Sequence, residues 1–272
     1  MPVDILAHIF REKLCAVAPA QALQETVAGY YWCTSGQNGR PVWATLHGHP
    51  ALLFLLDAPY SIQFTGRHAL CLQHAFFCCY GLHHTYIQAW PKGMRMLVVQ
   101  FTCNGLFRLL QQPLPAVAAA PLLPVTAVWG AAGQQLAESI CRAGSQAAQA
   151  ALLDNFLLAQ LPACPPPGYL VQAAVQYIRS REGQVNVAAV CNHLGVNYKW
   201  LERNFRNQLG ITPMAYIDTT RFLHAYLSMG QPGQSLTSIA LQHGYYDQAH
   251  FIKAFKKHTG KAPSIEKPAV TV

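Results

Sequence analysis

Two segments near the C-terminal end carry side chains suited to nucleic-acid chemistry. In the first, Lys199, Glu202, Arg203 and Arg206 recur at helical spacing. A guanidinium can donate two bonds to O6 and N7 of guanine, which an ammonium does less selectively. Arg203, and after it Arg206, is therefore the leading base-reading candidate. Glu202 suits either cytosine N4 or the orientation of Arg206 one turn on. In the second segment Gln248, His250 and Lys253 suit base edges, while Lys256 and Lys257 suit phosphates. Arg221, between the two, suits a structural or phosphate contact at least as well as a specific one. The competing reading of each set is a solvated helix face with local ion pairs.

The elements that must position these residues form an internal repeat. VNVAAVCNHLGVNYKWLERNFRNQLGITP ends at Pro213, and SLTSIALQHGYYDQAHFIKAFKKHTGKAP ends at Pro263. Phe205 and Phe255, Gly210 and Gly260, and Pro213 and Pro263 are each fifty residues apart. Gly195 and Gly244 are one closer, which makes the second turn one residue longer. Each copy reads as helix, tight turn, helix. A small residue, Cys191 or Ala240, stands four before the turn glycine and lets the helices approach closely. Val187, Val190 and Leu194 in the first copy, and Ile239 and Leu241 in the second, supply the apolar positions of the leading helices. Asn197 and Asp247 occupy the N-cap places of the following helices, and Asn197 also joins the DNA-facing candidates. Leu201 with Phe205, and Phe251 with Phe255, point inward at i, i+4 spacing. The opposite face of the second copy then carries Ala249, Ile252, Lys253 and Lys256. Trp200 reads as a packing residue. This is a tandem helix-turn-helix pattern with two candidate recognition helices.

The region from Tyr169 to Lys267 resembles the DNA-binding domain of AraC-type transcriptional regulators. The resemblance rests on LERNF-x4-GITP in the first unit and GYYDQAHFIKAFKKHTGKAP in the second. Tyr245, Asp247, Gln248, Phe251, Lys253, Phe255, Gly260 and Pro263 match the family's motif, and Arg221, opening RFLHAYL, matches the arginine that begins its linker helix. Cys191 stands where alanine is usual, and SIEK after Pro263 replaces a common S-x-Tyr-Arg ending. The latter departure bears on a terminal contact and not on the class.

Composition agrees with a folded, basic, two-domain chain of 272 residues. Apolar residues make up 52% and charged residues 11%, which excludes a disordered tail or a charged coiled coil. The net charge is +8, and it is concentrated. From Pro166 onward eleven Lys and Arg face five Asp and Glu, against eight and six before it. Positive charge thus gathers where phosphate binding needs it. Nine cysteines without a CxxC pair, no secretory leader and no apolar run of membrane-spanning length point to a reduced cytoplasm.

The N-terminal half has a different texture. A short helix is expected over Ile5–Leu14, followed by an Ala/Gln stretch. Strands are expected at Ala51–Leu56, Ser61–Phe64, Ala75–Tyr80 and Met96–Phe101, separated by turn glycines, as in a sandwich or small barrel. The YYW entry at Tyr30–Trp32, HGHPALLFLL from His47, VVQFTCNGLFRLL from Val98 and Val128-Trp129-Gly130 resemble the sensor domain of some AraC-type regulators. That resemblance implies a cupin-like β-barrel that senses an effector or contacts a partner. From Ala131 to Leu161 the pattern is helical, with stripes Leu136, Ile140, Ala143 and Leu153, Phe156, Leu157, Leu161. The stripes suit packing on the chain's own barrel or a dimerisation surface. The proline run at 162–168 breaks helix and strand and marks the domain boundary.

The upstream histidines suggest two further readings. His47-Gly48-His49 resembles the HxH of cupin metal enzymes, but the following glutamate is lacking. Cys71, His74, Cys78, Cys79, His83 and His84 would suit zinc or copper(I) in a metal- or thiol-responsive regulator. Strand alternation prevents all six from converging, and Cys78 and Cys79 suit a core. No nucleophile–base pair, phosphate-cradling loop or paired carboxylates stand out, so no enzyme, cofactor or resident metal is expected.

The expected fold class is α+β and multidomain: a β-rich sensor domain over 1–115, a helical segment over 116–161, a proline-rich linker over 162–168 and an all-α tandem helix-turn-helix domain over 169–267. The expected function is sequence-specific DNA-binding transcriptional regulation. Double-stranded DNA is the expected partner; RNA polymerase, an unknown small-molecule effector and a second copy of the chain remain open as others, and no membrane is expected.

Overall fold

The computed structural model describes residues 15–34, 50–57, 60–62, 70–72, 74–78, 93–114, 122–163, 168–231, 233–259 and 262–263. The chain divides into two compact units: Met1–Gly168 with Arg206–Gly210, and Tyr169–Phe205 with Ile211–Val272.

The first unit is built on an antiparallel sheet. Its strands are β1 (Cys15–Val17), β2 (Val27–Thr34), β3 (Ala51–Leu55), β4 (Tyr60–Ile62), β5 (Leu70–Leu72), β6 (Ala75–Cys78), β7 (Arg95–Phe101) and β8 (Leu122–Pro124). Six of them pair in the order β1-β2-β7-β3-β6-β8, and β4 pairs with β5. The register sets Tyr30 opposite Val99, Trp32 opposite Leu97, and Leu52 opposite both Val99 and Phe77. Alternation then gathers Tyr30, Trp32, Leu52, Phe54, Phe77, Leu97 and Val99 into one buried cluster.

Helix α1 (Gly105–Leu110) follows β7; α2 (Val125–Arg142) and α3 (Gln146–Gln160) follow β8. Gly130 interrupts α2 with φ 54°, which turns its first residues away from the axis of the rest. Leu136, Ile140, Leu153 and Leu157 belong to the same cluster as the sheet. The Trp129 ring lies edge-on to Phe77 at 5.0 Å and to Phe156 at 4.9 Å. Tyr30 donates from its hydroxyl to Asp154 at 2.8 Å, and the Trp32 indole N–H is paired with Gln149. The helical stripes thus pack on the chain's own sheet, with Ala143, Phe156 and Leu161 half-buried at the margins.

Several element boundaries differ from expectation. Ala51–Leu55, Tyr60–Ile62, Ala75–Cys78 and Arg95–Phe101 correspond to the four expected strands; the second and fourth start one residue earlier, the first ends one residue sooner, and residues 63–64 and 79–80 lie outside the described residues. The Ala/Gln stretch contains β1 and a 3-10 turn at Gln21–Leu23, and Val128 and Trp129 lie in α2 just before its interruption at Gly130. The expected helix at Ile5–Leu14 lies outside the described residues, as do His47, His49 and the proline run over 164–167.

The second unit is all-helical among the described residues. Its helices are α4 (Tyr169–Ser180), α5 (Val187–Leu194), α6 (Tyr198–Leu209, assigned to this unit as far as Phe205), α7 (Pro213–Ser228), α8 (Leu236–Gln242) and α9 (Gln248–Thr259). Its core joins Val171, Ala174 and Ile178 of α4 to Tyr216, Ile217 and Phe222 of the central helix α7. The Phe222 ring meets Phe255 edge-on at 5.8 Å, and Phe205 meets Tyr216 at 6.0 Å.

Candidate nucleic-acid interface

The two helix pairs, α5–α6 and α8–α9, repeat each other at the level of single hydrogen bonds. Asn186 and Ser235 cap the leading helices, accepting from the Ala189 and Ser238 amides at 2.8 and 3.0 Å. Each leading helix closes with matching bonds, Val196 N–H to the Cys191 carbonyl and Tyr245 N–H to the Ala240 carbonyl, at 3.1 and 2.9 Å. The turn glycines Gly195 and Gly244 have φ 66° and 72°, the left-handed region in which a side chain is strained. Asn197 and Asp247 then cap the second helices, accepting from the Trp200 and His250 amides at 2.8 and 2.7 Å.

These caps aim α6 and α9. In α6, Leu201, Phe205 and Leu209 are buried, while Lys199, Arg203 and Arg206 are exposed and Glu202 is half-buried. In α9, Phe251, Phe255 and His258 are buried, while Gln248, Ala249, His250, Lys253, Lys256 and Lys257 are exposed. Ile252 of the expected outer face is half-buried, as is Trp200 in α6. Each helix thus offers a basic outer face carried on an apolar inner one.

Several candidates have partners that narrow their roles. The Asn197 carbonyl oxygen is spent on its cap. The Gln248 carbonyl oxygen accepts from the Thr237 hydroxyl at 2.9 Å, which leaves its amide N–H groups as donors. His250 Nδ1 accepts from the Tyr246 amide at 3.4 Å, so Nε2 carries the ring's proton in the neutral form. Lys257 pairs with Asp218 at 3.5 Å.

Of the alternatives open for Arg221, its bonds favour the structural one. Its Nε donates to the Gly183 carbonyl at 3.0 Å and a terminal nitrogen donates to Val185 at 3.4 Å. The guanidinium fastens the turn between α4 and α5, and the role visible for Arg221 is structural. Leu241, expected to help the apolar stripe of its helix, is 60% exposed; Ile239 and Ala240 do the packing instead.

Two exposed aromatics escaped the sequence reading. Tyr198 is 54% and Tyr246 87% exposed, each beside the cap of its recognition helix. Tyr198 stands four residues before Glu202 and so shares its face, a relation that the helical spacing already contains.

The cysteine and histidine cluster is described only in part. Cys78 is buried in β6 and His74 is exposed with φ 50°, while the side chains of Cys71, Cys79, His83 and His84 lie outside the described residues. Among the described residues no group of three His, Cys, Asp or Glu side chains is placed to hold a metal. Burial pushes the Cys33 thiol up to about 12 and also raises Cys141 and Cys191. A raised value withholds the thiolate, the form that reacts. Among the described residues no helix is long and apolar enough to cross a membrane.

Comparison with known proteins places the repeat. A family model described as a helix-turn-helix domain matches residues 190–265. Over 120 residues the chain is 30% identical to the arabinose operon regulatory protein of Escherichia coli (strain K12), covering 42% of this chain and 41% of that one. Residues 190–265 carry a helix-turn-helix domain. The protein of the same description from Salmonella typhimurium is 29% identical over the same length, 42% of this chain and 43% of its own. The matched stretch thus spans about two fifths of these curated relatives. A solved structure of ToxT from Vibrio cholerae O395 aligns over 89% of this chain and 96% of its own, with 12% identity and a TM-score of 0.46. Within the matched residues, α6 and α9 are the second helices of the two pairs, and their basic faces are those described above.

Proposed function

We propose that the chain is a sequence-specific DNA-binding transcriptional regulator. The observation that carries this is the duplicated cap-and-turn geometry, which presents two basic helix faces from one domain. The recognition helices enter successive major-groove segments on one side of the duplex, roughly 34 Å or one turn apart. Arg203 reads a guanine, and Lys256 and Lys257 of α9 hold backbone phosphates. Relatives named as regulators of the arabinose operon support this reading.

The N-terminal sheet serves as a cupin-like sensor of an effector or as a surface for self-association. A hollow of about 220 Å³ lined by Trp32, Cys33, Arg95 and Gln149, among others, supports the sensor role, having both apolar walls and polar groups. On this reading the protein works in the cytoplasm, has no catalytic activity and acts on RNA polymerase from its DNA site.

The test is selection of bound duplexes from a random library with the full chain and with Arg203→Ala. In the variant one base position should relax and specific affinity should fall by about 1–3 kcal/mol. A loss spread equally over all sequences would move Arg203 to the backbone.

A further inference from the structure

A second hollow, of about 200 Å³, lies between α7 and α9. Asp218 and Arg221 of α7 line one side; Tyr245, His250, Lys253 and Lys257 line the other. Three permanent cations therefore surround a space with a single carboxylate, and Asp218 is already paired with Lys257. Lys253 and Lys257 are four residues apart and point the same way along α9.

The other lining groups suit the same ligand. Burial raises the Tyr245 hydroxyl above its ordinary value, opposed by Arg221 and reinforced by Asp218, so the ring keeps its proton and can donate it. The bond from Tyr246 to His250 Nδ1 leaves Nε2–H as the ring's donor. Arg221 is held by the Gly183 and Val185 carbonyls and keeps its charge fixed beside the hollow. Fixed cations and neutral O–H and N–H donors around a concave space are the recognition chemistry of a tetrahedral oxyanion.

We infer that the hollow between α7 and α9 is a binding site for a phosphate-class anion. Lys253 then acts there as a phosphate ligand, whereas its position on the recognition helix alone suggested a base edge. The anion comes from a backbone phosphate of bound duplex or from a free phosphorylated molecule. The backbone source rests on the proposed DNA-binding function; the free source does not.

Two measurements on the full chain test this, using wild type, Lys253→Gln and Lys257→Gln, each checked for an unchanged thermal transition. The first is duplex affinity between 50 and 200 mM salt. For a backbone phosphate each variant should lower the log–log salt slope by about 0.9 and weaken selected and random duplexes by the same factor. The second is an NMR titration with inorganic phosphate and pyrophosphate in the absence of DNA. For a free anion, resonances of Tyr245, Lys253 and Lys257 should shift saturably in wild type, and the apparent affinity should fall at least several-fold in both variants. Either response supports the site and identifies its source. Unchanged slopes together with no saturable shift would overturn it, as would a Lys253→Gln loss confined to the selected duplex. If wild type binds no duplex the proposed function fails, and the phosphate titration alone then decides the hollow.

Discussion

The Nε of Arg221 donates to the carbonyl oxygen of Gly183 over 3.0 Å, across thirty-eight residues of sequence. Gly183 has φ 72°, and a Cβ placed there would meet the Arg221 backbone nitrogen at 2.5 Å. The turn and the central helix are therefore fitted to each other, with charge-assisted bonds closing the join. Arg221→Ala should destabilise the protein by about 1.5–3 kcal/mol, as measured by urea unfolding. Under conditions where the variant is fully folded, its preferred DNA sequence should be unchanged; a relaxed base position would assign Arg221 a specific contact instead.

The matching caps predict matching costs. Asn197→Ala and Asp247→Ala each remove the acceptor for an amide at the start of a recognition helix. Each should lower stability by about 0.5–2 kcal/mol in denaturant unfolding, while Asn197→Asp stays near wild type. A negligible loss in both would mean that the helices are set by packing alone.

His243 predicts a pH dependence. Its ring is buried; Nε2 lies 2.7 Å from the Ser228 hydroxyl, and Nδ1 faces Glu182 at 3.9 Å. Ser228 donates its own proton to the His224 carbonyl, so its oxygen accepts from Nε2–H and Nδ1 is left bare. Desolvation lowers the His243 pKa below 6.5, against the pull of Glu182 and with His224 adding to the lowering. The folded value lies below the unfolded one, so the stabilising contribution is complete above pH 6.5 and is lost as pH falls from there. Unfolding free energy should decline as pH falls below 6.5, and His243→Gln should flatten that decline. An equally steep decline in the variant would assign the effect to other groups.

The C-terminal unit was legible because its signals are local. A cap, a left-handed glycine and an i, i+4 aromatic pair each act within a few residues, so Asn197, Gly195 and Phe205 appear at their expected tasks. The exposed faces of Lys199, Arg203 and Lys253 followed from the same spacing. Arg221 did not, because its partners are 38 and 36 residues away and no periodicity encodes a carbonyl at that distance. Leu241 misled for a related reason, since Ala240 and Ile239 already fill the inner face of a helix only seven residues long.

The sheet was less legible. The run Ala51–Leu55 is buried at every position, so alternation disappears there and only its length marks a strand. Strands β1 and β8 are three residues each and exist by pairing with β2 and β6, which is information held in other segments. The helical stripes, by contrast, were readable, and Trp129 shows where they go by meeting both Phe77 and Phe156.

Sequence-specific DNA binding is decided by selecting duplexes with the full chain from a random library at two salt concentrations. Affinity should fall steeply with salt, and a motif with two half-sites about one helical turn apart should be enriched. Salt-sensitive binding that enriches no motif, or no binding at either concentration, would contradict it.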